Sequence, residues 1–188
     1  MAEENDACSV AHGETPQAAP HAAAQAAPQA APQPAGDRAL VAVFASPVAG
    51  FLLRYAADAG YRGLLVEPDA ARAAGARMAG FTVADVMPGN LDGADVVVTD
   101  HHREELGVML RDALVTPARW VGIMGSPRAE PPHIQALALL GVAPDEVARV
   151  HRPIGLNIGS RTPPEIAIST LAGLIADRNG RPGGFGFD

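Results

Sequence analysis

From residue 37 onward, short unbroken apolar runs alternate with stretches whose apolar positions recur every three or four residues. The run Leu40–Phe44 suits a strand buried on both faces. After it, Val48, Phe51, Leu52, Tyr55, Ala56 and Ala59 fall on one helical stripe, with Arg54 and Asp58 on the opposite face. Ser46 is placed to cap this helix, Pro47 fits its first turn, and Gly60 ends it. "GLLVEPD" (63–69) predicts a second strand with Glu67 at its carboxyl end. A weaker helix over 70–80 and a short strand around 81–86 follow. "ADVVVTD" (94–100) predicts a fourth strand, 103–114 a helix, and "RWVGIMGS" (119–126) a fifth strand. Residues 131–141 read as a helix, and 144–150 as a short helical turn. The last helix opens on Thr162-Pro163-Pro164-Glu165, a capping box with proline at the first helical positions, and runs to about Asn179. Its stripe is Ile166, Ala167, Thr170, Leu171, Leu174 and Ile175, which leaves a homodimer open.

Strand and helix in alternation, with short connections, predict one α/β domain over residues 37–188. Its sheet is expected to be doubly wound, mainly parallel and Rossmann-like. Residues 1–36 break the pattern with Ala-Ala-Pro-Gln units and few large side chains. Such a segment buries too little surface to offset its ordering entropy, so a disordered N-terminal tail is expected there. The single cysteine, Cys8, lies in that tail, excludes an internal disulfide framework and fits a reducing compartment. The acidic start lacks the apolar core of a signal peptide, and no apolar run is long enough to span a bilayer. A cytoplasmic location follows as the expectation. Net charge is −7, and four of the 21 acidic residues (Glu3, Glu4, Asp6, Glu14) precede the domain. The domain thus sets 14 basic residues against 17 acidic ones, which argues against nucleic acid as a partner.

In a doubly wound sheet, ligands bind beyond the carboxyl ends of the strands, where the strand order reverses. Three stretches are expected to meet there: Ala45–Gly50, Thr99–His102 and Gly125–Arg128. In the first, only Gly50 keeps the G-x-G-x-x-G spacing, in the role that packs helix closely on strand. Ala45 and Pro47 replace the other glycines, and Pro47 removes an N–H from the phosphate cradle. Glu67, 22 positions after Ala45, stands where a ribose-binding acid belongs. Asp100 and His102 are candidate ligand contacts; adjacent histidines are a poor metal-binding pattern, and no metal site is expected. Ser126 offers a hydroxyl or a helix cap, Arg128 an anion partner. Asn157, Ser160 and Arg161 lie in "HRPIGLNIGSRTPPEIAIS" (151–169), a glycine-bearing loop that enters a helix N-terminus and so suits an anion. His133 and His151 read as structural or surface residues. No nucleophile elbow accompanies these groups, so hydrolase chemistry has little support. An NAD(P)-dependent oxidoreductase is one open reading, with the damaged loop against it. A non-catalytic interaction module that has lost ligand binding is another.

"PIGLNIGSRTPPEIAIS" (153–169) strongly resembles the motif near the end of the XdhC/CoxI family, accessory proteins of xanthine dehydrogenase and related molybdenum hydroxylases. "WVGIMGS" (120–126) and "VVVTDHH" (96–102) resemble two further blocks of that family, in the same order. The resemblance spans about residues 40–179, the family's C-terminal Rossmann domain. It implies a maturation factor that helps molybdenum cofactor to be bound, sulfurated or inserted, more a chaperone than an enzyme. The implied partners are an apo molybdenum hydroxylase, a cysteine desulfurase, or a separate protein supplying the family's N-terminal domain. The residues read at the switch point and in the loop before the last helix, Ser46, Gly50, Glu67, Asp100, His102, Gly125, Ser126, Arg128, Asn157, Ser160 and Arg161, are then the candidate contacts for molybdopterin, with Arg128 or Arg161 suited to its phosphate and Glu67 to a ribose in its dinucleotide form. The family's fourth-strand motif reads Thr-His-Asp-His, whereas this chain has Thr99-Asp100-His101-His102.

Overall fold

The computed structural model describes residues 38–126 and 128–184; the tail expected over residues 1–36, with Cys8, lies outside them. Strand β1 (Ala39–Val43) leads into helix α1 (Pro47–Asp58), then β2 (Arg62–Val66), α2 (Ala70–Met78) and β3 (Val83–Ala84). The chain then forms β4 (Asp95–Val98), α3 (Leu106–Leu114) and β5 (Trp120–Ile123). Helices α4 (Pro132–Leu139) and α5 (Pro144–Val147), strand β6 (Val150–His151) and helix α6 (Pro163–Arg178) follow. The strands make one sheet in the order β3-β2-β1-β4-β5-β6, every pair parallel. The chain winds outward from β1 to β3, returns to place β4 against β1, and winds outward again. Val43 lies opposite both Val66 and Val98, so the ends of β2, β1 and β4 are level where the order reverses.

Both faces of the sheet are covered, and the strand pleat sends alternate residues to each. Val41, Val43, Val96 and Val98 pack with Leu110 and Leu137 of α3 and α4. Leu40, Ala42 and Val97 face Leu52 of α1 and Leu171 and Leu174 of α6. Five strands are legible in the apolar runs; β6 is the sixth. It consists of two residues paired with Val121 and Gly122, too short to show any alternation of its own.

The buried face of α1 is Ala49, Leu52, Leu53 and Ala56, while Phe51 and Tyr55 are half-buried with ring centroids 5.9 Å apart. The contact face is therefore turned from the predicted stripe toward Leu53, which lies against Gly63 of β2 and lines the recess shared with α2. Each of these leucines gains about 1.5–3 kcal/mol by leaving water. The stripe of α6 is spent in the core: Ala167, Leu171 and Leu174 are buried against the α1 layer. The homodimer expectation loses the surface on which it rested. Among the described residues no helix is long and apolar enough to cross a membrane.

Candidate functional site

The loops that leave β1 and β4 are laced together by side chains. Thr99, buried just beyond β4, holds its hydroxyl 2.9 Å from the Phe44 carbonyl, 3.1 Å from that of Val43 and 2.9 Å from Ser46 Oγ. Its one proton goes to a main-chain carbonyl, which leaves Ser46 to donate to Thr99. Ser46 also accepts the Ala49 N–H at 3.0 Å as the cap of α1, so its hydroxyl is occupied twice. Between strand and cap sits Phe44, fully buried, with φ +72°, a conformation that costs a non-glycine residue about 1–3 kcal/mol. Its N–H still donates to the Val66 carbonyl at 2.8 Å, and its ring fills the end of the core.

Glu67 occupies the position expected of a ribose-binding acid, and the structure gives it other work. The side chain is completely buried. Oε2 accepts the Ala45 N–H at 2.7 Å, and Oε1 accepts the Asp69 N–H at 2.9 Å. The Arg103 fork then closes on the same carboxylate, Nη1 to Oε2 at 3.2 Å and Nη2 to Oε1 at 3.1 Å. Four donors leave this carboxylate no idle acceptor for a ribose, so the expected contact does not hold in this conformation. Arg103 also bonds Glu105 and lies 4.7 Å from the Phe44 ring centroid, with its side chain only 11% exposed. Burial alone would lower the guanidinium's pKa; its bonds to Glu67 and Glu105 more than offset that and hold it up. In return, the Arg103 hydrogen bond holds the Glu105 carboxyl below the usual range. Arg103 stands 36 positions from Glu67 and is visible in the sequence only as one charge in a polar loop.

Asp100 accepts the His102 N–H at 3.0 Å, and the His101 and His102 rings lie 4.0 Å apart. His102 is exposed. His101, tied to the Met124 main chain, is held below the ordinary histidine range by burial and then by its neighbour. Among the described residues no group of three or more His, Cys, Asp and Glu is arranged around a common metal position. Beyond β5, Arg152 organises the third stretch, donating to the Ser126 carbonyl at 2.9 Å and the Ala129 carbonyl at 3.2 Å. A Cβ on Gly125 would fall 2.9 Å from Arg152 Nε, so a side chain there would displace the guanidinium from these carbonyls. Ser126 Oγ accepts the Arg128 N–H at 3.2 Å, a local turn well ahead of α4, so Ser126 caps no helix; Arg128 is exposed.

The loop before α6 is bonded to its own helix. Ser169 Oγ donates to the Leu156 carbonyl at 2.6 Å, and a Cβ on Gly173 would meet Gly155 Cα at 3.1 Å. Asn157 and Arg161 are exposed and Ser160 half-buried. The anion expected at the α6 N-terminus is supplied by the chain itself. Glu165 accepts the Arg161 N–H at 2.9 Å and the Thr162 N–H at 3.0 Å within the capping box, and these backbone bonds hold its carboxyl below the usual range.

Gly50, read as a packing glycine, is under no such pressure: a Cβ there meets only the Phe81 ring, at 3.6 Å. Gly50 instead lines a recess of about 270 Å³ between α1 and α2, with Ser46, Leu53, Ala76 and Phe81. A roomier apolar recess, about 640 Å³, lies between α4, α5 and β6. It is lined by Ile134, Val142, Val147 and the buried His133. His151 is exposed and stacks on Trp120 at 4.8 Å.

The site therefore unites the loops after β1, β2 and β4 through Ser46–Thr99 and Ala45–Glu67–Arg103, while the loop carrying Asn157, Ser160 and Arg161 is bonded to α6. No nucleophile with a partnered base stands among these groups.

Comparison with known proteins agrees with this architecture. The structure resembles that of a xanthine dehydrogenase from Bacillus halodurans, with a TM-score of 0.57 at 21% identity over 74% of this chain. Over 100 residues, 53% of its length, the chain is 36% identical to YqeB of Escherichia coli (strain K12). It spans 43% of the first protein and 17% of the second. The family model of the XdhC Rossmann domain matches residues 40–174, nearly the whole described sheet, and the chain belongs to the XdhC family.

Proposed function

We propose that this protein is an accessory factor in the maturation of a molybdenum hydroxylase of the xanthine dehydrogenase type, acting on its partner enzyme more than as a catalyst. The observation that carries the reading is the family match over residues 40–174 joined to a switch-point crevice whose polar groups are satisfied internally. An NAD(P)-dependent oxidoreductase holds its nicotinamide cofactor across that crevice, and the Glu67–Arg103 pair fills the ribose side of it.

The residues present do not form a ready cradle for the phosphate of molybdenum cofactor. The Ala45 N–H is given to Glu67, and the Arg161 and Thr162 N–H groups to Glu165. That favours a division of labour in which the cofactor's contacts are shared with a second protein, the apo-hydroxylase, a cysteine desulfurase, or a protein supplying the family's other domain. The exposed Arg128 and Arg161 remain available to such an interface.

The test is reconstitution. Apo-hydroxylase is incubated with molybdenum cofactor, with and without this chain, and hydroxylase activity is followed, while NAD and NADP are titrated separately by calorimetry. Faster or fuller recovery with the chain present, and silent nicotinamides, is the expected result. Unchanged recovery with saturable NAD or NADP binding would return the protein to the oxidoreductases.

A further inference from the structure

Helix α4 buries two residues, His133 and Leu137, one helical turn apart on the same face. Leu137 joins the core, whereas His133 puts a polar ring in the equivalent place. His133 is only 5% exposed, and its Nδ1 is buried without a hydrogen-bond partner among the described residues. Buried polar groups ordinarily find such a partner, because an unmet one gives up its hydration for no return. The recess of about 640 Å³ between α4, α5 and β6 is lined by this histidine and by Arg152. Arg152 is likewise incompletely met. Its Nη1 and Nη2 donate only to the main-chain carbonyls of Ser126, Ala129 and Glu130, and its Nε is buried with no partner. Among the described residues no carboxylate pairs with its charge. The walls beyond these two groups are apolar, with Ile134, Ala138, Val142, Val147 and Val150, and Ile134 stays 49% exposed.

We propose that this recess binds a small apolar monocarboxylate, an acyl or aryl body whose carboxylate accepts a hydrogen bond from His133 beside the Arg152 charge. Its volume falls within the range of about 300–1,000 Å³ typical of small-molecule pockets, which join apolar walls to a few convergent polar groups. The head group follows from the charge. One guanidinium and one imidazole balance a single negative charge, whereas the second charge of a phosphate would stand unmatched among apolar walls. Burial, and then Arg152, holds the His133 imidazole below the ordinary histidine range, so the free protein keeps it neutral with one N–H to donate. Helix α4 also opens here on Pro131 without a side-chain cap, and the positive end of its dipole adds to the preference for an anion. The body follows from the walls: a chain seated there covers Ile134 and Ala138, which succeed each other on the exposed side of α4. The recess lies at the β6 edge of the sheet, away from the loops after β1, β2 and β4, and the proposal does not rest on the maturation role.

The experiment titrates the whole chain calorimetrically with three probes and follows the His133 imidazole by NMR. Octanoate carries both body and charge, octanol keeps the body without the charge, and acetate keeps the charge without the body. Octanoate is expected to saturate one site, with octanol at least about tenfold weaker and acetate silent. The His133 pKa should rise when octanoate is bound, because a neighbouring carboxylate favours the imidazolium. His133→Leu removes the donor with a residue suited to burial, and should weaken octanoate at least about tenfold. Ile134→Glu alters an exposed position, keeps the fold, and should abolish octanoate binding by setting a like charge in the recess. If the His133→Leu chain does not fold, Ile134→Glu and the His133 signal decide. Absence of saturable octanoate binding overturns the proposal, as does octanol binding as tightly as octanoate, or octanoate binding that either folded variant leaves unchanged. A dimer that Ile134→Glu dissolves and octanoate does not would overturn it too, since a second copy of the chain would then be the occupant.

Discussion

Phe44, just ahead of α1, and Gly50, within its first turn, stand six residues apart, and each shows that a position's role is set by what surrounds it. The spacing around Gly50 suggests close packing, but the space beside it accepts a methyl group. Gly50→Ala is therefore expected to stabilise the protein, by about 0.5–1 kcal/mol from helix propensity and unfolded-state entropy. A raised midpoint in urea with an unchanged slope would bear this out; a lowered midpoint would restore the packing role. Phe44 carries the opposite message, a large residue in a conformation that favours glycine, held there by complete burial. Nothing in the residue type announces that. The same scale decides what restoring the lost glycines would do. Ala45→Gly with Pro47→Gly returns an N–H and space to the loop, yet leaves Arg103 on Glu67. We expect no gain in NAD affinity from this pair alone, measured by calorimetry, and a gain only when Arg103→Ala is added. Binding by the glycine pair alone would mean that the loop, and not Arg103, is the barrier.

Elements were legible where their signals were local. The caps of α1 and α6 and the apolar runs of β1, β4 and β5 could be read in short windows, and the structure places them there within a few residues. Strand β6 was not legible, because two residues define it only by lying beside Val121 and Gly122. The α6 cap also makes an element-scale prediction with a definite sign. Backbone bonds from Arg161 and Thr162 depress the Glu165 pKa in the folded state. Its contribution is thus fully present above the unfolded glutamate pKa and is lost as pH falls through the depressed folded value. Glu165→Ala should accordingly melt below wild type at neutral pH, with the gap closing in acid. Amide hydrogen exchange should quicken at Arg161 and Thr162 while the far end of α6 is unaffected. A gap independent of pH would mean that the ionised capping carboxylate does not set it, since alanine's higher helix propensity acts in the opposite direction.

Across the whole molecule, both ends of the sheet are tied by buried carboxylates that the sequence order conceals. At the carboxyl end Glu67 reaches a partner 36 residues away; at the amino end Asp95 reaches one 83 residues away. Asp95, wholly buried at the start of β4, accepts from Arg119 at 2.6 Å and from Arg178 at 2.7 Å. Arg119 continues to Asp177, and Arg178 to the Gly93 carbonyl at 2.7 Å. One carboxylate thereby joins β4, the start of β5 and the end of α6, fixing the last helix to a sheet built by much earlier parts of the chain. Local pattern predicts the strands and helices but cannot assign these partners, since pairing depends on the strand order that folding creates. Removing the hub while keeping its cations takes the Asp95 carboxylate away from Arg119 and from Arg178, whose side chain is only 5% exposed. Asp95→Ala should therefore cost about 3–5 kcal/mol, the range for breaking a buried pair on one side only. Replacing an exposed pair such as Arg77–Asp85, whose side chains are 45% and 63% exposed, should cost about 1 kcal/mol or less. Urea unfolding of the two variants beside wild type measures both. If Asp95→Ala lost no more than Asp85→Ala, α6 would be held by its apolar contact with α1 alone, and the amino-end network would be an accessory to packing.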